Sequence, residues 1–277
     1  MSFVEILKSI VLGIVEGFTE WLPISSTAHM MIIDELIQLD VSDEFKTIFI
    51  TVIQVGAALA LLVIYFRKLN PFDRRKKPEQ KSATWKLWFK IALACVPAAV
   101  LGLLLDDWID EHMYNGLIVS IALIVYGALF IVIEYVNRYK QPAIVRLGKI
   151  DYQTAFYIGL FQVLALIPGT SRSGATILGA MLLGCSRGIS AEFSFFLGIP
   201  VILGASLLRL IKYGFVFSTA EVVYMLVGGL TAFIVSIYSV KFMLNWIKKS
   251  NFKIFGYYRI GIGTIILIWF IISNLIK

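Results

Sequence analysis

Six stretches of this chain, at residues 46–66, 87–105, 116–136, 191–211, 221–246 and 257–275, are apolar for roughly the 20 residues a helix needs to cross the hydrocarbon core of a bilayer. Lipid offers the backbone no hydrogen-bond partner, so each such stretch has to be a helix. Two further apolar stretches, 3–38 and 152–186, are interrupted, the first by Pro23 with Ser25, Ser26 and Thr27 and the second by Pro168, Gly169 and Gly174. Broken helices at membrane depth are tolerated only when packed in protein or lining a wet cavity, so both are read as re-entrant hairpins that enter and leave on one side. A chain of 277 residues with 59% hydrophobic and 16% charged residues is too apolar for an ordinary soluble domain.

The net charge of +7 does not point to nucleic acid, because Lys and Arg gather in short loops between the apolar stretches. Loops 67–86, 137–150 and 247–256 are basic, while 39–45 and 106–115 are acidic. The positive-inside rule puts the basic loops in the cytoplasm and the acidic ones, with both termini, outside. The first hairpin then dips from the external face and the second from the cytoplasmic face. Cys95 and Cys185 lie apart in apolar segments without metal-ligand spacing and read as buried thiols. The N-terminal stretch carries Glu5 and Glu16 and lacks a basic n-region and a cleavage site, so it reads as mature protein rather than a signal peptide.

One motif is written twice: GIVEGFTEWLPISSTAH from Gly13 to His29 and GLFQVLALIPGTSRSGAT from Gly159 to Thr176. Gly13 pairs with Gly159, Glu16 with Gln162 and, after a one-residue gap, Pro23 with Pro168 and Ser26 with Ser171. The chain therefore reads as an all-α polytopic membrane protein, a single integral domain over 1–277 built from two inverted-topology repeats. Each repeat, 1–136 and 150–277, is a re-entrant helical hairpin followed by three transmembrane helices. Such repeats place a binding site at their interface near the membrane midplane.

Ionisable groups at membrane depth cost at least ~2.5 kcal/mol each and usually mark a site. Glu16 and Glu20, four residues apart, share a helix face with Cβ atoms about 5–6 Å apart. They can share a proton or hold a divalent cation, Mg2+ or Ca2+, with water and phosphate completing its shell. His29 follows Ser25, Ser26 and Thr27, and can act as base or nucleophile, activate a neighbouring hydroxyl, or simply bond a carbonyl. Ser171, Arg172, Ser173 and Thr176 after Pro168-Gly169 have the composition of an anion nest: helix-start N–H groups, hydroxyls and a guanidinium fork. Arg172 can alternatively pair with Glu16 or Glu20 across the repeat axis. Gln54 either lines the cavity or bonds a neighbouring helix; Glu134 and Arg209, near span ends, are expected to snorkel; His112 is expected to be solvated.

The two blocks, Glu16-x-x-x-Glu20 with Pro23-x-Ser25-Ser26-Thr27-x-His29, and Pro168-Gly169-x-Ser171-Arg172-Ser173-Gly174-x-Thr176, closely resemble the signatures of the bacterial undecaprenyl-diphosphate phosphatases, also called bacitracin-resistance proteins. The resemblance extends over essentially the whole chain. It implies catalytic roles for Glu16, Glu20, Ser26 and His29, and phosphate binding by Arg172, Ser171, Ser173, Thr176 and Thr27. It also implies a plasma-membrane enzyme with an external-facing site, a possible homodimer, and recycling of the lipid carrier for peptidoglycan synthesis. The expected reaction is hydrolysis of a polyprenyl diphosphate, with Ser26, His29 or water as nucleophile. The alternative is a transporter that flips a phosphate-bearing polyprenyl lipid, since inverted repeats with broken helices are also a carrier architecture.

Overall fold

The computed structural model describes residues 2–276. Eleven α-helices are found there, and no β-strand: α1 (Phe3–Thr19), α2 (Ser26–Ile37), α3 (Asp43–Ile64), α4 (Phe66–Leu69), α5 (Pro78–Met113), α6 (Gly116–Val136), α7 (Tyr152–Val163), α8 (Arg172–Leu182), α9 (Arg187–Tyr213), α10 (Thr219–Lys249) and α11 (Lys253–Ile276). Six of them, α3, α5, α6, α9, α10 and α11, are long and apolar enough to cross a membrane. These are the six expected stretches. The main difference is α5, whose 36 residues run well past the apolar stretch at 87–105. At 1.5 Å per residue it is about 54 Å long, so its polar ends project beyond the hydrocarbon core. Pro78 starts it at the basic end. At the acidic end, Asp106 and Asp110 are paired with Arg209 of α9, which keeps helical a segment expected as loop.

Of the five shorter helices, α1, α2, α7 and α8 form the two interrupted segments, with α1 packed on α10 and α7 on α5. Small residues make these crossings close. A Cβ on Gly13 would stand 2.5 Å from the Gly228 carbonyl oxygen, and one on Gly159 would stand 2.8 Å from Cα of Ala94. Two serines of α10 then satisfy carbonyls that the end of α1 leaves without helical partners: Ser236 Oγ donates to Gly17 (3.0 Å) and Ser239 Oγ to Phe18 (2.7 Å).

Glu134 does not snorkel. Its side chain is only 1% exposed, because Arg187 donates to both its oxygens and the Phe252 amide donates to Oε1 at 3.0 Å. A buried carboxylate is tolerable when its lone pairs are filled in this way.

Candidate active site

The site is built from the two interruptions. The first helix ends at Thr19 with Glu20 as its C-terminal cap, and α2 restarts at Ser26 with Ser25 as its cap. The second restarts at Arg172 with Ser171 as its cap. Ser25 and Ser171 take nearly the same left-handed backbone, φ 73° and 71°. Each accepts a hydrogen bond on Oγ from the amide three residues on, Ala28 and Gly174 respectively. For residues other than glycine this conformation costs about 1–3 kcal/mol each, and it aims the first residue of each helix into the space between the turns. The structure thus matches Ser171 to Ser25, not to Ser26 as the gapped sequence alignment had it. With no gap, Ser26 and Arg172 become the equivalent positions.

Those two residues meet on one carboxylate. Ser26 Oγ donates to Glu20 Oε2 at 2.7 Å, and Arg172 Nη2 donates to Oε1 at 2.8 Å. Arg172 also donates through Nη1 to the Ser194 carbonyl at 2.8 Å and lies over the Trp21 ring, 5.3 Å from its centroid. Gly198 of α9 leaves room for the guanidinium. A cavity of about 130 Å³ opens beside this chain of contacts, lined by Glu20, Ser26, Thr27, Ser171, Arg172 and Ser173 together with Gln54 and Tyr114, and walled by Leu166, Val201, Ile202 and Ala205. It combines an acceptor, a nucleophilic hydroxyl, a fixed cation and an apolar wall.

Of the remaining expected residues, Ser173 belongs to the cavity lining, whereas Thr176, Glu16 and His29 do not. The Ser173 hydroxyl is tied back to the first turn, donating to the Leu22 carbonyl at 3.2 Å. Thr176 donates to the Arg172 carbonyl and bonds Ser194 Oγ at 2.6 Å, so it braces α8 against α9. Glu16 is fully buried one turn behind Glu20, and neither of its carboxyl oxygens has a hydrogen-bond partner. His29 faces α11. Its Nδ1 stands 2.7 Å from the Ser25 carbonyl and its Nε2 2.7 Å from the Tyr258 hydroxyl. A carbonyl only accepts, so Nδ1 carries the proton, and in the neutral ring Nε2 accepts from Tyr258. Both nitrogens are engaged away from Ser26.

Several residues at the site were not legible in the motif. Trp21, Ser194 and Gly198 shape the Arg172 pocket, and Tyr114 comes from what read as an acidic loop. Arg259, from the last helix, is completely buried and donates to carbonyls of both turns. An Arg inside a span-length apolar stretch, 257–275, was the available signal for it.

Residues 9–265 match the family model described as bacitracin resistance protein BacA. The chain is 52% identical over 276 residues to an undecaprenyl-diphosphatase of Enterococcus faecalis, covering 99% of this chain and 100% of that one. It is 53% identical over 274 residues to that of Lachnoclostridium phytofermentans, with 99% and 100% covered. To that of Acetivibrio thermocellus it is 54% identical over 267 residues, with 96% and 98% covered.

Proposed function

The chain belongs to the bacitracin resistance protein BacA family, and from that premise we infer that it carries the activity for which its relatives are named, hydrolysing undecaprenyl diphosphate to undecaprenyl phosphate and inorganic phosphate. It is a multi-pass membrane enzyme of the bacterial plasma membrane, and its place in cell-wall synthesis and bacitracin resistance follows from the lipid it dephosphorylates. A flippase would move such a lipid without breaking its anhydride; a serine held on a carboxylate suits bond cleavage instead.

The observation that carries the mechanism is the run Ser26 hydroxyl, Glu20 carboxylate, Arg172 guanidinium. Glu20 takes the Ser26 proton as Oγ attacks the terminal phosphorus. The Oγ–P bond forms while the bridging P–O bond breaks, and the proton passes to the departing undecaprenyl phosphate. Water then attacks the phosphoserine, giving up a proton to Glu20; the water oxygen–P bond forms as the Oγ–P bond breaks, and Glu20 passes the proton to the departing Ser26 Oγ, restoring both residues as inorganic phosphate leaves. Arg172 stays anchored through Nη1 on the Ser194 carbonyl and exchanges the Nη2 bond to Glu20 for one to the phosphoryl oxygens, joined by Ser171, Thr27 and the first amides of α2 and α8. Phosphoryl transfer needs mainly such positioning and charge neutralisation. Leu166, Val201, Ile202 and Ala205 receive the start of the prenyl chain.

No group of three or more His, Cys, Asp or Glu side chains able to hold a metal occurs among the described residues. Mg2+ is commonly held by one or two carboxylates with substrate phosphates and water, and the unpartnered Glu16 oxygens beside Glu20 fit that donor set. A divalent cation, Mg2+ or Ca2+, held by Glu16 and Glu20 would neutralise charge on the diphosphate.

The two-repeat reading, 1–136 and 150–277 within one domain, is supported by the reciprocal packing of α1 on α10 and α7 on α5 and by the matching Ser25 and Ser171 caps. Both hairpins then re-enter on opposite faces. An external site is supported by Tyr114, which follows the acidic end of α5 and lines the cavity. A homodimer remains part of this reading, tested by the mass of the detergent-solubilised protein. The central test is quenched-flow reaction with undecaprenyl diphosphate labelled on the terminal phosphate. Label on Ser26, with no phosphate release by Ser26→Ala, supports the mechanism; an active, unlabelled Ser26→Ala would assign the attack to water.

A further inference from the structure

Arg259 lies in the second turn of α11, 236 residues from Pro23 and 90 from Gly169, yet it bonds both. Nη1 donates to the Pro23 carbonyl of the first turn at 3.1 Å. Nη2 donates to the Gly169 and Thr170 carbonyls of the second turn, each at 2.9 Å. The guanidinium is completely buried, and its hydrogen-bond partners among the described residues are these backbone oxygens alone. It packs near the Tyr126 ring and against the first turn of α8, where a Cβ on Gly174 would stand 3.3 Å from Nη1. The neighbouring Tyr258 holds His29, which in turn holds the Ser25 carbonyl.

Burying a guanidinium without a counter-ion costs several kcal/mol, and a neutral donor could satisfy one carbonyl far more cheaply. What Arg offers that no neutral or ammonium side chain does is a rigid planar fork whose two arms bond different partners at a fixed separation. Here one arm holds each turn. Pro23 lies three residues before Ser26, and Thr170 two before Arg172. The separation set by the fork is therefore transmitted to the serine hydroxyl and the phosphate-binding guanidinium across the cavity.

We propose that Arg259 is a positioning residue that registers the two turns against each other, and with them Ser26 against Arg172. It does not touch substrate. The inference rests on the diphosphatase reading given above. Arg259→Lys keeps the charge but loses the fork, so one turn is released.

The experiment measures phosphate release from undecaprenyl diphosphate by purified wild type, Arg259→Lys and Phe255→Leu, with thermal unfolding of each in detergent. Phe255 is buried one turn earlier on α11 against Phe252 and Trp246 and serves as a purely structural control. The expected result is a kcat about 100-fold lower in Arg259→Lys, the loss that a misplacement near 1 Å produces, with KM changed less than about threefold, and near-normal kcat in Phe255→Leu at matched stability. Normal kcat in Arg259→Lys, or an equal fall in Phe255→Leu, would overturn the proposal. Should Arg259→Lys not fold, Tyr126→Leu removes the ring beside the guanidinium and should lower kcat with KM held; unchanged kcat there overturns it too. Wild-type protein that releases no phosphate would instead refute the diphosphatase reading itself.

Discussion

Gly198 carries the sharpest consequence of the site geometry. An ideal Cβ at this position would stand 2.5 Å from both Cζ and Nη2 of Arg172, and nearer still to Nη1, whereas ordinary contact begins at 3.4 Å. Gly198→Ala therefore forces the guanidinium to retreat by about 1 Å, a displacement worth on the order of 100-fold in rate when it misplaces a reacting or charge-stabilising group. Retreat along the α9 side stretches the 2.8 Å bonds to Glu20 Oε1 and the Ser194 carbonyl, and the Trp21 ring limits where the side chain can go. The helix itself loses nothing, since Ala in a helix interior is favoured over Gly by about 1 kcal/mol. The expected outcome is a dissociation of two measurements: phosphate release from undecaprenyl diphosphate falls about 100-fold, while the unfolding temperature in detergent stays level or rises. Activity within threefold of wild type would show that Arg172 is not held where its function requires, and the argument for its fixed position would fail.

Three further outcomes are expected. His29→Gln, whose amide can still donate to the Ser25 carbonyl, should retain activity within about tenfold, whereas loss of a general base costs 10²–10⁴-fold; steady-state kinetics decide between the two. Chelation with EDTA should lower activity and added Mg2+ restore it in wild type, while Glu16→Gln should lose most of the Mg2+ response; activity indifferent to both would remove the cation from the site. Arg187→Leu leaves the buried Glu134 with the Phe252 amide as its remaining partner, and should destabilise the protein by about 3–5 kcal/mol, read as a fall in unfolding temperature with little change in the kcat of the folded fraction.

Much of this protein is legible in its sequence because lipid leaves the backbone few options. Span-length apolar stretches had to become helices, and the six long helices lie where those stretches are. The interruptions at Pro23 and Pro168 had to be turns, and Glu20, Ser26 and Arg172 were recognisable there as polar groups with no business in lipid unless used. Helix ends were harder to see, because α5 continues through residues whose charges are satisfied by Arg209 from another helix. The register between the two motif copies is likewise not legible in the sequence. Proline and hydroxyl identities suggested a gap, whereas the backbone conformation of Ser25 and Ser171 requires none.

What the sequence determined by itself is therefore the class of fold, the location of the two turns and the chemical types available at them, since each follows from hydropathy and local backbone preference. Which residues face one another was decided by tertiary structure alone. Ser26 and Arg172 converge on Glu20 because two strained caps aim them inward. His29 is turned toward Tyr258, Glu16 is enclosed behind the site, and Arg259 reaches both turns from a distant helix. Such relations depend on distances between segments far apart in the chain, which periodicity and motif spacing do not encode and only the packing of the helices supplies.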